Sequence, residues 1–171
     1  MTQTWNIGLV AFVISIATLF TMPVSSEAQA RSKAPSSTDK RIVEQLFASW
    51  SSHDADKVAN VFTEDAIYED VTAGHISRGR TEVRKWAAGA FVVFENFKME
   101  LVSSYVHNGR GVAEWVWSAT DNDLHKGKNF SVRGVSVIEV RGGKISSCKD
   151  YYDFATVMRQ LGSLPSEKSD S

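Results

Sequence analysis

From residue 97 onward the chain switches from helical to period-two hydrophobicity, and this switch constrains the fold more than any other feature. "FKMELVSSYV" and "GVAEWVWSAT" both alternate, and Asn108-Gly109 lies between them. That dipeptide readily adopts the positive φ angles of a two-residue hairpin. A polar connection, "DNDLHKGKN", precedes "FSVRGVSVIEV", a second hairpin turn at Gly142-Gly143, and "KISSCKDYYD". The pattern predicts a run of long antiparallel strands.

The first half of the domain has the other period. Ile42, Val43, Leu46, Phe47 and Trp50 form one wide apolar stripe, so a helix is predicted, N-capped by Ser37 or Thr38 with Asp39 in its first turn. Asp54 or Asp56 caps a short second helix that turns Val58, Ala59 and Phe62 inward. "DAIYED" (65–70) alternates as a strand, with Tyr68 and Asp70 on one face and Ile67 and Glu69 on the other. "TAGHISRGR" reads as a loop, and Thr81 opens a third helix with Val83, Trp86, Ala87, Ala90, Phe91 and Phe94 as its stripe. Gly89 inside it costs about 1 kcal/mol relative to Ala, or lets another element approach. Asp153 caps a last helix, "FATVMRQLG". Helices, a short strand and then long antiparallel strands make an α+β fold. A strongly bent sheet wrapped over the N-terminal helices would bury their stripes and leave a cavity.

Ahead of this domain, Ile7 to Phe20 is an apolar run of 14 residues, broken at Pro23 and followed by Ala28-Gln29-Ala30. That is the layout of a signal peptide over 1–30, with an uncleaved N-terminal anchor as the alternative. It predicts a secreted or periplasmic protein with no stable membrane association after cleavage. Residues 31–37 read as a linker, 38–163 as the domain and 164–171 as a frayed tail. Cleavage removes Glu27 and leaves 19 acids against 19 bases. A neutral chain lacks the basic stripe of a nucleic-acid binder. One cysteine, Cys148, cannot form an intrachain disulfide, so the core must hold the domain together.

"IVEQLFASWSSHDADKVANVFTEDAIYEDV", the Gly79-Arg80 pair before a helix, "FSVRGVSVIEVRGGKISSCKDYYD" and the closing "MRQLG" resemble the SnoaL-like, polyketide cyclase-like branch of the nuclear transport factor two superfamily. The resemblance runs from about residue 39 to 162. It implies a cone-shaped α+β barrel, a homodimer through the sheet, and a deep pocket for a small, mostly apolar organic molecule. It implies no cofactor. Because the family holds isomerases, hydrolases, cyclases and plain binding domains, the chemistry must be argued from the site.

Asp70 stands where ketosteroid isomerases of the family carry a general base. Their two oxyanion donors are missing, since Leu46 and the neighbourhood of Val135 occupy the matching positions. Asp70 is otherwise a strand-end acid capping the next loop. Asp150 matches an aspartate of the limonene-epoxide hydrolases, and Tyr68 matches their water-holding tyrosine. Trp115 and Trp117 stand where the remaining Arg and Asp of that triad belong. Polyketide cyclases keep one acid–base aspartate near the last strand, a role open to Asp150 with Asp70. Pairing across the sheet, with Arg133 for example, is the alternative for Asp150. Tyr68, Trp115, Trp117 and Tyr152 are the candidate substrate-binding residues, and the two tryptophans could equally be core. Tyr105 and Phe130 are assigned to the core, and Cys148 to packing on the Asp150 side. His53, His75, His107 and His125 lack metal-ligand spacing, so no metal is expected. His75 is either a proton shuttle at the pocket mouth or a solvated loop residue. Acid–base catalysis and non-catalytic ligand capture both remain open.

Overall fold

A computed structural model describes residues 37–165. The expected signal segment, most of the linker and most of the tail lie outside them. Helix α1 (Ser37–Trp50) buries the predicted stripe, with Val43, Leu46, Phe47 and Trp50 almost fully covered and packed largely against β3 (Phe94–His107). Each such side chain contributes about 1.5–3 kcal/mol relative to exposure. Helix α2 (Ala55–Asn60) is capped by Asp54, whose carboxylate accepts from the backbone N–H groups of Asp56 and Lys57 at 3.0 and 3.1 Å. Phe62, expected on that helix, instead opens strand β1 (Phe62–Asp70) and is fully buried there.

The expected loop after β1 contains a strand, β2 (His75–Arg78), paired antiparallel to β1. Helix α3 (Arg80–Val93) follows. Phe94, expected on its stripe, is extended and begins β3. Strands β4 (Arg110–Asp121), β5 (Lys128–Arg141) and β6 (Lys144–Tyr152) and helix α4 (Phe154–Leu161) complete the domain. Asp153 accepts from the Thr156 N–H at 3.1 Å, and Gly162 takes the left-handed conformation (φ 82°) that ends α4.

The six strands form one open sheet in the order β2-β1-β6-β5-β4-β3, curved around the N-terminal helices in the expected α+β architecture. All neighbours are antiparallel except β1 and β6, which run parallel. This pairing, absent from the sequence reading, sets Tyr68 opposite Cys148 and Asp70 opposite Asp150.

The inner face carries the core. Trp115, Ile138, Ile145 and Cys148 meet the α1 stripe there. A smaller cluster under α4 joins Val157 and Leu161 to Phe130, Val132 and Ala119. Tyr105 does not belong to the core. A register shift between Leu101 and Ser103 changes the strand's parity, so Tyr105 turns outward and is 63% exposed while Val106 is buried. Phe130 is buried as expected. Among the described residues, no helix is long and apolar enough to cross a membrane.

Candidate functional site

Between the α1 core and the α4 cluster lies a cavity of about 320 Å³. All six residues singled out in the sequence line it: Tyr68, Asp70, Trp115, Trp117, Asp150 and Tyr152. Their convergence follows from strand parity. β1, β6, β5 and β4 are consecutive in the sheet, and alternate residues of each point inward.

Asp150 sits at the centre of a buried hydrogen-bond network. Tyr68 Oη donates to its Oδ2 at 2.8 Å, and Ser136 Oγ donates to its Oδ1 at 2.5 Å. Trp115 Nε1 donates to Ser136 Oγ at 2.8 Å, which directs the serine proton toward the carboxylate. Cys148 Sγ lies 3.5 Å from the same Oδ1. Burial raises the Asp150 carboxyl from 3.8 to about 6; the Ser136 and Tyr68 hydrogen bonds oppose the rise, and the nearby Asp70 adds to it. Burial, then the Asp150 charge, push the Cys148 thiol and the Tyr68 phenol up.

Asp70 caps the loop after β1 and also reaches the cavity. Its Oδ1 accepts from the Ala73 N–H at 2.8 Å, capping the loop after β1, while its Oδ2 accepts from Tyr152 Oη at 3.2 Å inside the cavity. Burial also raises its carboxyl, against the Ala73 and Tyr152 hydrogen bonds. The pairing of Asp150 with Arg133 does not occur. Arg133 is on the outer face and holds Glu114, and Lys149 holds Glu69. Val135 is exposed on that same face, so no acid at its position would reach the cavity. The inward residues of β5 nearby are Gly134 and Ser136. Ser136, missed in the sequence, is the closest partner of Asp150. Gly134 makes room for Trp115, since a Cβ there would lie 2.2 Å from the indole ring.

The walls are aromatic. Trp117 meets Tyr152 at 5.5 Å and 80°, Trp50 stacks on Phe97 at 5.6 Å, and Trp86 also lines the space. Trp117 Nε1 is buried without a hydrogen-bond partner, an uncommon state for an indole N–H. His75 is not a free loop residue: its ring stacks on Trp86 at 3.6 Å and its Nε2 lies 2.9 Å from Ser77 Oγ.

His125, in the polar connection between β4 and β5, also lines the cavity. Its Nδ1 bonds Asp121 at 2.8 Å and its Nε2 meets Ser163 Oγ at 2.5 Å, tying the β4–β5 connection to the end of α4. The Asp-His-Ser order resembles a hydrolytic triad, but the Gly162 and Ser163 N–H groups are already bonded to Arg159 and Met158 carbonyls. They cannot serve as oxyanion donors. Among the described residues, no group of three or more His, Cys, Asp or Glu side chains could hold a metal.

The sequence profile of the SnoaL-like domain matches residues 43–148. The chain belongs to the SnoaL-like domain family. Solved structures show the same fold. A hypothetical protein with a ketosteroid isomerase-like fold from Catenulispora acidiphila, solved with trimethylamine, is 26% identical over 71% of this chain and 92% of its own, with a TM-score of 0.66. A limonene-epoxide-hydrolase-like epoxide hydrolase of M. tuberculosis is 18% identical over 74% of this SnoaL-like domain chain and 90% of its own, TM-score 0.63. A proposed SnoaL-like polyketide cyclase from Shewanella denitrificans is 15% identical over 74% and 98%, TM-score 0.64.

Proposed function

We propose that this SnoaL-like domain binds a small, mostly apolar organic molecule in the cavity and moves a proton on it with Asp150, without a cofactor. The observation that carries this reading is the buried Asp150 carboxyl, raised to about 6 among aromatic walls. At pH 7 such a group is about nine-tenths ionised yet basic enough to accept a proton, the compromise a general base requires. Asp70, one strand away with Tyr152 on it, is the second proton carrier. Removing a proton from an acidic carbon α to a carbonyl needs only a base and a fitted cavity, so cofactor-free proton transfer of the cyclase, isomerase, dehydratase or hydrolase type is the class of chemistry proposed. The small-molecule complex of the Catenulispora neighbour supports a ligand role for the fold. Carboxyl-carbon NMR titration is the test. A midpoint near 6 for Asp150, moved by a bound ligand, supports the reading; a midpoint near 4 that no ligand moves removes it.

A second reading, ligand capture without chemistry, is favoured by one observation. Both Asp150 oxygens already accept from protein hydroxyls. Conversion of the bound molecule by the wild-type protein that is lost in Asp150→Asn would select catalysis; a molecule bound by the wild type and never converted would select capture.

Two further elements belong to the proposal. Export follows from the signal layout of residues 1–30, and intact mass of the exported protein tests cleavage after Ala30. Homodimerisation through the outer sheet face is supported by an apolar patch. Tyr105, Val112 and Val137 lie in one row across β3, β4 and β5, with Val135 and Tyr151 in the next. Sedimentation at micromolar concentration tests it.

A further inference from the structure

The cavity combines two features that a neutral apolar ligand leaves unused. Asp70 and Asp150 face each other as register partners on adjacent strands, both buried and both turned inward. Their immediate partners, Tyr68, Ser136, Cys148, Tyr152 and the Ala73 N–H, are all formally neutral. No Lys or Arg lines the cavity among the described residues, whereas Asp121 and Asp123 add two more acids at its rim. Two carboxylates side by side in a low-dielectric space repel, and one remedy in the empty protein is a proton. The other remedy is a cation supplied by the ligand.

The walls suit such a cation. The π face of an aromatic ring is negative, and rings meeting at steep angles form the corner in which an alkylammonium group is held. Trp117 and Tyr152 meet at 80°, Trp117 is tilted by 41° against Phe97, and Trp50, Trp86 and Trp115 add further indole surface. A metal ion would need clustered ligating side chains, and none gather among the described residues. The cavity volume, about 320 Å³, lies at the low end for small-molecule sites (~300–1,000 Å³).

We propose that the natural ligand of this cavity is a small organic cation, a tertiary amine or quaternary ammonium with apolar substituents, held by the aromatic corner and the Asp70–Asp150 pair. This deepens the functional reading above and rests on the cavity being a ligand site. The cation takes the place of the proton held by the buried Asp150 carboxyl, so binding releases protons below about pH 6 and tightens as pH rises. The groups that set this dependence are Asp150 with Tyr68 and Cys148, Asp70 with Tyr152 and His75, and Asp121 with His125 at the rim.

The test uses a matched pair of probes, phenyltrimethylammonium and its uncharged carbon isostere tert-butylbenzene, titrated against the whole chain by tryptophan fluorescence. At pH 7.5 the ammonium should bind at least about tenfold tighter than the isostere. Its affinity should fall about tenfold between pH 7.5 and pH 5, as expected for one acid titrating near 6, while the isostere's stays flat. Asp150→Asn and Asp70→Asn should each remove most of the ammonium's advantage and leave isostere binding intact, which also shows that the variants fold. If the isostere binds as tightly as the ammonium, the cation proposal is overturned and the apolar pocket stands. If neither probe gives saturable quenching, the cavity reading falls as well.

Discussion

Asp150→Asn should make the domain more stable at alkaline pH. In the folded protein the Asp150 carboxyl sits near 6, raised from 3.8 mainly by burial. The folded state therefore holds its proton more tightly than the unfolded chain, and stability falls as pH climbs from about 4 through 6. A gap of about two pH units corresponds to about 3 kcal/mol lost by pH 8. Asparagine has the same shape and no charge to desolvate. Its hydrogen bonds to Tyr68 and Ser136 are neutral and weaker, and that difference opposes the gain by about 1 kcal/mol each. The single-pH comparison is therefore ambiguous, but a double difference is not. The advantage of the variant over wild type should grow by about 2 kcal/mol between pH 4 and pH 8, because pH-independent packing effects cancel and a small part of the loss has already occurred at pH 4. For a domain of this size that is roughly 7 °C in relative Tm. Urea denaturation at the two pH values measures it. A variant whose advantage is the same at both would refute the claim that burial of charge dominates this carboxyl.

Ser136→Ala should raise the Asp150 carboxyl above 6 and leave Trp115 Nε1 unsatisfied, costing about 2 kcal/mol at pH 8; the NMR midpoint and urea melts report each part. Gly134→Ala should cost about 1–3 kcal/mol by forcing Trp115 aside, visible as a changed near-UV circular dichroism spectrum. Gly89→Ala should add up to about 1 kcal/mol, since it is exposed in α3 and a Cβ there meets nothing within 4 Å; an unchanged denaturation midpoint would contradict this. Val137→Glu on the outer face should halve the sedimenting mass if the sheet patch holds two copies together, and leave the Asp150 titration unmoved.

The parts of this fold that were legible in the sequence are those whose signal is local. The α1 stripe and the hairpins at Asn108-Gly109 and Gly142-Gly143 need only a few neighbouring residues, and the inward parity of Tyr68, Asp70, Trp115, Trp117, Asp150 and Tyr152 needs only strand alternation. What was missed depends on distant partners. Strand β2 is four residues long and polar, and it exists because β1 offers it an edge. Tyr105 was misplaced by a single-residue shift in β3, which reverses every side chain beyond it. Ser136 carries no motif. It matters because β5 lies between β6 and β4, which puts its hydroxyl between Asp150 and Trp115.

The parallel pairing of β1 with β6 has a consequence for how the molecule is made. The hydrogen bonds Tyr68–Asp150 and Tyr152–Asp70 each span 82 residues of chain. A ribosome has to deliver nearly the whole domain before either can form, whereas the β3–β4 and β5–β6 hairpins can close as soon as they emerge. Contacts of such long range carry the largest loop-closure entropy. The two acids are thus joined late, on a sheet already assembled around them, and substitutions at Asp70 or Asp150 should change the unfolding rate far more than the folding rate.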